Sequence, residues 1–494
     1  MIASRLKKHN FGFGAVGVCQ LTRNEALIPR ILNIKTFSRR AAGSSVVSQA
    51  ESVQAPALAS PAAGKAVPVE SCDAREIHAK PSMIRFLILS SQLGGLLLVF
   101  RLYRLMEKPH FMLMSGVIFG AFLIHYWLPL RFKEAFLATV SLAGAFLLLD
   151  PKVASILIAV GLVFFIILYS PVPYKWRIML LLTIFVALIY GCATKISFIP
   201  LALFPVFGAI FMFRIIIYVY DLSHGREKAR LLPFLCYFFL LPNYYFTLFP
   251  VIDFQTMRRS YYQRDIHEIA QQGIHWMVRG AIQLMLYRLV VYFNDPYLPD
   301  RVTNLGALIS TMVLTFLLYL NVSGQFHLIV GMLHLFGYDL PETNRRYLLA
   351  RSFTDFWRRI NIYWKDFMVK IVYFPVYFKL RKRGNLRAQV MATASVFLAT
   401  WILHSYQFFW IKGQLSLGWQ DALFWGILGM LVISSVLFES WHKGRRTGSS
   451  WHTHLLHAAQ VLGTFALITT LWSLWSSPSV NAWIYLMTRW THGG

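Results

Sequence analysis

The sequence predicts an all-α, polytopic membrane protein, and three observations carry that prediction. The 494 residues are 57% hydrophobic and only 14% charged, whereas a soluble globular chain carries about 25% charged residues. Apolar runs long enough to cross ~30 Å of hydrocarbon as helices recur along most of the chain, at 111–130, 153–170, 178–192, 198–220, 305–320, 388–411, 422–438 and 455–475. In lipid every backbone N–H and C=O must be satisfied internally, so such runs fold as helices. Counting shorter candidates, the pattern predicts roughly eleven to thirteen membrane helices.

Residues 1–82 differ from the rest. They are rich in Ala, Ser, Val and Pro, and no apolar run there is long enough to span. Glu25 is the only acid in the first fifty residues, among eight Lys or Arg. Low acid content with Arg, Ser and Ala resembles a transit peptide. The segment otherwise reads as a disordered extension, or as an early start before Met83, where a first membrane helix begins. Residues 83–494 form the membrane domain.

The formal charge is +27. Its Lys and Arg gather in short clusters near the ends of apolar runs, the pattern of interfacial anchors on the cytoplasmic side, so nucleic-acid binding is not expected. Cys19, Cys72, Cys192 and Cys236 show neither paired nor metal-like spacing, which argues against a disulfide framework or a zinc site.

From Tyr218 the texture changes. Pro233, Pro242 and Pro250 interrupt apolar stretches too short to span cleanly. Broken segments are tolerated at membrane depth only when buried in protein or lining a cavity. This places the functional half at 218–440.

Three stretches there carry polar groups. The first is "SFTDFWRRINIYWKDF", residues 352–367. Read as one helix, it sets Trp357, Asn361 and Trp364 on one face (i, i+4, i+7). Asp355 reaches Arg358 or Arg359, and Asp366 lies four residues before Lys370, so the charges pair locally and Asn361 is left on the aromatic face. The bland reading is an interfacial amphipathic helix with snorkelling Arg, but it leaves a buried Asn to be explained. The second stretch, residues 390–410, is an apolar helix with Thr393, Thr400, His404 and Gln407 on one face. An ionisable residue inside a membrane helix marks a functional-site hypothesis; the competing reading is a neutral His bonded to a facing helix. The third holds His327 and His334, seven residues apart and on one helix face. Metal-binding His pairs on helices sit at i, i+4, so no metal site is expected.

The order of these features resembles the membrane-bound O-acyltransferase family, most closely its bacterial branch that acetylates alginate or D-alanylates teichoic acid. The resemblance rests on "LFGYDLPETNRRYLLARSFTDFWRRINIYWKDF" (335–367), "YDLSHG" (220–225), "FPVIDFQTMRR" (249–259) and an apolar helix carrying His404 where the family has its membrane-embedded histidine. Asn361 stands where the bacterial branch usually has His, as in the sterol and diacylglycerol acyltransferase branches. "WILHS" replaces the family's "GLWHG", and His327 replaces its usual Asp.

The resemblance implies a bundle with a central tunnel, in a bacterial plasma membrane. It implies transfer of an acyl group, acetyl by the bacterial branch, from acyl-CoA or another cytoplasmic thioester to a hydroxyl of an extracytoplasmic saccharide or similar acceptor. No cofactor is permanently bound, and an extracytoplasmic accessory transferase is an implied partner. His404 would be the general base and Asn361 would donate to the thioester carbonyl. Trp357 and Trp364 would keep the site dry. Arg358 and Arg359, with Lys365 and Lys370, would meet donor phosphates, and Thr400 and Gln407 would be substrate-binding. The alternatives are a non-catalytic relative and a transporter. Transport calls for related halves and intramembrane acids, and neither stands out in the sequence.

Overall fold

The computed structural model describes residues 79–106, 110–194, 200–224, 230–294, 302–415, 417–441 and 451–489. The N-terminal extension up to residue 78, Cys19 and Cys72 lie outside them. Every element is helical: α1 Met83–Leu102, α2 His110–Trp127, α3 Leu130–Leu148, α4 Pro151–Tyr169, α5 Tyr174–Thr194, α6 Leu203–Ser223, α7 Leu231–Phe238, α8 Phe254–Arg259, α9 Ile266–Asn294, α10 Leu305–Leu317, α11 Leu320–His334, α12 Phe353–Arg359, α13 Ile362–Met368, α14 Phe374–Leu380, α15 Asn385–Lys412, α16 Trp419–Trp441, α17 Trp451–Ser476 and α18 Val480–Arg489.

Among the described residues nine helices are long and apolar enough to cross a membrane, with the α10–α11 pair counted as one. The all-α polytopic fold is as predicted, but the expected number of spans was higher. Charge explains part of the difference. α3 opens on Arg131, Lys133 and Glu134, and α9 carries Glu268, Arg279 and Arg288, so neither is apolar enough over a full span.

Helix α6 is the axis of the bundle. Its most apolar stretch is 72% buried, against 22–50% for the other eight spans. Beside it runs the broken segment. α7 lasts eight residues, a 3₁₀ turn follows at Leu241–Tyr244 with Pro242 in its first turn, and the chain reaches α8 without further helix. Phe238, Phe239, Leu240 and Ile252 are all essentially inaccessible. The Pro-punctuated segment is therefore buried in protein, one of the two settings in which such a break is tolerated at membrane depth.

α9 and α11 pack through glycines. A methyl group on Gly280 would sit 2.7 Å from the Gly324 carbonyl oxygen, and one on Gly331 would sit 2.6 Å from the Gly273 carbonyl oxygen. Each pair is seven residues apart on its own helix, so two antiparallel backbones touch along one seam. Small residues permit such contact where lipid supplies no hydrophobic drive. On the same seam His327 and His334 pack against Trp276, with ring centroids at 5.4 and 6.1 Å, His334 stacked and His327 tilted. Both rings bond the carbonyl four residues back through Nδ1, at 2.7 Å each. Among the described residues no group of three His, Cys, Asp or Glu is placed to hold a metal.

Basic side chains close the C-terminal ends of several helices, where up to four carbonyls lack intrahelical partners. Lys133 Nζ donates to the carbonyls of His125 and Tyr126 at 2.6 and 3.2 Å. Arg177 donates to Leu168 and Val172, and Arg288 to Tyr103 and Arg104. Arg214 donates to Tyr237 at 2.9 Å, at the end of α7. A cation there also meets the negative end of the helix dipole.

Candidate active site

The stretch 352–367 is two short helices, which corrects the single-helix reading. Ser352 caps α12 by accepting the Asp355 N–H at 3.1 Å. Asp355 returns a carboxylate oxygen to the Arg351 N–H at 3.0 Å and grips Arg359 at 2.6 Å. The α12 run ends because Ile360 is extended and Asn361 turns left-handed, at φ 39° and ψ 64°. Asn is one of the few residues that visit this region readily. Its side chain then caps α13, with Oδ1 accepting the Trp364 N–H at 3.3 Å.

The 341–346 loop holds this junction in place. Asn344, fully buried, accepts the Asn361 backbone N–H at 2.8 Å and the Tyr319 hydroxyl at 3.1 Å through one oxygen. Ile362 N–H donates to the Thr343 carbonyl at 2.8 Å, and Arg345 N–H to the Arg359 carbonyl at 2.9 Å.

The expected Asp366–Lys370 pair is not formed. Residues Val369–Tyr373 make a π-helical turn, which disrupts the four-residue spacing that such a pair needs. Asp366 pairs with Lys365 at 2.7 Å instead. Lys370 reaches Asp221 at 2.6 Å and Asp253 at 2.9 Å, tying α6 and the broken segment to the π turn.

A cavity of about 130 Å³ opens beside this junction. Trp357, Asn361, Trp364, His404 and Gln407 all line it, so the residues singled out on two stretches meet at one place. Thr400 does not line it. It is fully buried one turn behind His404, and its hydroxyl accepts the Trp364 indole N–H at 3.4 Å. Arg358 and Arg359 lie outside the cavity wall as well. Arg359 is held by Asp355, Lys365 by Asp366 and Lys370 by its two acids, whereas Arg358 shows no ion pair among the described residues and its Nε is buried without an acceptor.

Two of the polar groups on the wall have fixed roles. His404 Nδ1 lies 3.0 Å from the Thr400 carbonyl. A carbonyl can only accept, so this bond places the proton on Nδ1 and leaves Nε2 as the acceptor of a neutral ring. The Asn361 amide is oriented by the same logic. Its oxygen is the atom that can accept from Trp364 N–H, so its NH₂ remains as a donor. These two groups add an acceptor and a donor to an otherwise mostly aromatic wall that also carries the Gln407 amide. His404 sits among Trp364, Trp425 and Trp475, with ring centroids 4.8, 4.7 and 6.2 Å away. The Trp475 indole N–H is in turn anchored on Asp421 at 2.7 Å.

Several of these residues escaped sequence reasoning. Trp425 and Trp475 lie on separate helices far along the chain, and no local spacing links them to His404. Asn344 sits in a loop motif whose side-chain target cannot be read from its neighbours. Arg214 escaped it as well, although a lone charge inside an apolar run was a signal that could have found it. No protein-family model and no curated protein matches the chain.

Proposed function

We propose that the protein is a membrane-embedded O-acyltransferase that moves an acyl group, acetyl by its resemblance, from a thioester donor to a hydroxyl acceptor of the saccharide class. The observation that carries this reading is the pairing of an oriented acceptor, His404 Nε2, with an oriented donor, the Asn361 NH₂, on the wall of one aromatic cavity. His404 takes the proton of the acceptor hydroxyl as its oxygen attacks the thioester carbonyl. Asn361 donates to the oxygen on which charge develops. The departing thiolate recovers the proton from the imidazolium. The tryptophans exclude water that would compete with the acceptor. The donor is acyl-CoA or a related thioester, no permanently bound cofactor is required, and the setting is a bacterial plasma membrane, with an extracytoplasmic accessory transferase as a partner.

The test is transfer from radiolabelled acetyl-CoA to a panel of polysaccharides by the purified full chain in neutral detergent. Label should move to an ester, with release of the CoA thiol, and His404→Ala should abolish both while inserting and purifying normally. Transfer by His404→Ala at the wild-type rate would remove this reading.

A further inference from the structure

Beyond Asn361 the chain runs as one helical stretch to Arg383: α13, the π turn Val369–Tyr373, α14 and a 3₁₀ turn at Arg381–Arg383. Gly384, at φ 120° and ψ 132°, reverses it, a backbone that glycine adopts without steric cost, and α15 runs back. The Trp364 indole meets Thr400 far from the turn, and the Tyr377 hydroxyl donates to Asn385 Oδ1 at 2.7 Å beside it. The two arms therefore make an antiparallel helical hairpin. Its first arm starts at Asn361 and its second carries His404.

The tip of this hairpin is strongly basic. Lys379, Arg381, Lys382, Arg383 and Arg387 fall within nine residues, and all five are exposed. The sequence holds no Asp or Glu between Asp366 and Asp421, and none of the five is in an ion pair among the described residues. Nearer the site the cations of the same arm are paired, Lys365 with Asp366 and Lys370 with Asp221 and Asp253. The tip is a surface of uncompensated positive charge.

Apolar side chains lie among these cations. Phe374, Val376, Tyr377, Phe378 and Leu380 make up most of α14, yet no residue of that helix is buried. Phe378 is 52% exposed and Leu386 37%. The Arg381 guanidinium lies over the Phe378 ring at 5.2 Å, so charge and apolar surface sit side by side, as suits the boundary between headgroups and acyl chains. A polyanion in solution would meet the charge and leave Phe378 and Leu386 in water. The helical rise from Asn385 to His404 is about 28 Å, which sets the tip apart from the reaction chamber.

We infer that the hairpin tip, residues 378–387, is a docking surface for anionic lipid headgroups: its five cations meet the negative charge of the lipid while Phe378 and Leu386 enter the acyl boundary. Each basic residue beside an anionic leaflet strengthens attachment roughly fivefold, and salt screens the effect. The inference does not rest on the acyl-transfer reading.

The full chain, purified in neutral detergent and stripped of lipid, is titrated with phosphatidylglycerol, phosphatidylcholine and inorganic phosphate, following the thermal unfolding midpoint by tryptophan fluorescence. Phosphatidylglycerol should raise the midpoint saturably and less so at high salt; phosphatidylcholine should raise it far less, and inorganic phosphate not at all. Lys379→Gln, Arg381→Gln, Lys382→Gln, Arg383→Gln and Arg387→Gln together should raise the half-saturating lipid concentration at least about tenfold. Lys80→Gln, Arg101→Gln, Lys152→Gln, Lys175→Gln and Arg230→Gln together remove the same charge elsewhere and should leave it within about twofold. Phe378→Ser with Leu386→Ser keeps every charge and should weaken the lipid as well. If the five-residue tip variant does not fold, Lys382→Gln with Arg383→Gln decides, and should weaken the lipid severalfold. An equal response to phosphatidylglycerol and phosphatidylcholine, or to phosphatidylglycerol and inorganic phosphate, would overturn the docking surface. So would equal losses in the two five-residue variants, or an unchanged response in either double variant.

Discussion

Replacing Asn361 by glycine separates its structural role from its chemical one. Asn361 holds a left-handed backbone at φ 39°, caps α13 through Oδ1 and offers its NH₂ to the cavity. Alanine loses all three. A Cβ residue other than Asn or Asp pays about 1–2 kcal/mol in the left-handed region, and loss of the N-cap adds ~1 kcal/mol. Glycine adopts the left-handed backbone freely, and as an N-cap it costs only about a few tenths of a kcal/mol. Asn361→Gly should therefore unfold close to the wild type, while Asn361→Ala should be about 2–3 kcal/mol less stable than the glycine variant. Both lack the donor, and removal of one oxyanion donor costs roughly 10²–10³ in rate. Both should fall by that factor in thiol release from acetyl-CoA in the presence of acceptor, measured alongside thermal unfolding. Asn361→Asp keeps the cap and tolerates the backbone but cannot donate, so it too should be slow. Near-wild-type turnover by Asn361→Gly would refute the donor role. Equal stability of the Gly and Ala variants would refute the backbone argument.

Other parts of the structure yield sharper stability tests. Gly280→Ala places a methyl group 2.7 Å from the Gly324 carbonyl; the seam between α9 and α11 must open, at a cost of about 1–3 kcal/mol, read as a lower unfolding midpoint. Ala at Gly426, which meets nothing within 4 Å, is the control and should leave the midpoint unchanged or raise it slightly. Lys370→Met removes the cation paired with Asp221, itself 3% exposed, and breaking a buried pair costs up to about 3–5 kcal/mol. Expression should fall, and Lys370→Met combined with Asp221→Asn should recover part of it. Asn344→Leu removes the acceptor for the Asn361 N–H and the Tyr319 hydroxyl. At about 1 kcal/mol per bond it should lower both stability and turnover, whereas Thr464→Val, far along the chain on α17, should leave turnover unchanged.

The helical class and the grouping of Trp357, Asn361, Trp364, His404 and Gln407 were legible in the sequence because each depends on local periodicity and on rare polar residues in apolar runs. The grouping was reached through an incorrect intermediate. A continuous helix would put Trp357, Asn361 and Trp364 on one face, yet the chain breaks between Arg359 and Ile362 and the three converge by a turn. No Pro or Gly marks that break. The available signal was Asn361 itself, a residue suited both to a left-handed backbone and to an N-cap. The charge pairing was only half legible. Asp355 meets Arg359 within one helix, but Lys370 pairs with acids 149 and 117 positions earlier in the chain, which no spacing rule reaches. Among the described residues nine helices are long and apolar enough to span, against the eleven to thirteen expected; α3 and α9 are long enough, but their charges lower their apolar character.

The three acceptors that hold Arg214 lie 23, 24 and 29 residues further along the chain. That separation has a consequence for biosynthesis. When α6 leaves the ribosome, those acceptors are still behind it in the exit tunnel, and its central guanidinium meets the bilayer without them, at a cost of about 2.5–3.5 kcal/mol. The apolar residues around it keep insertion favourable overall, but α6 settles fully only once residues 237–243 arrive to receive the charge. Emergence of the broken segment therefore acts as a checkpoint in membrane assembly: the axis of the bundle is secured by a piece of chain too short to cross the membrane by itself.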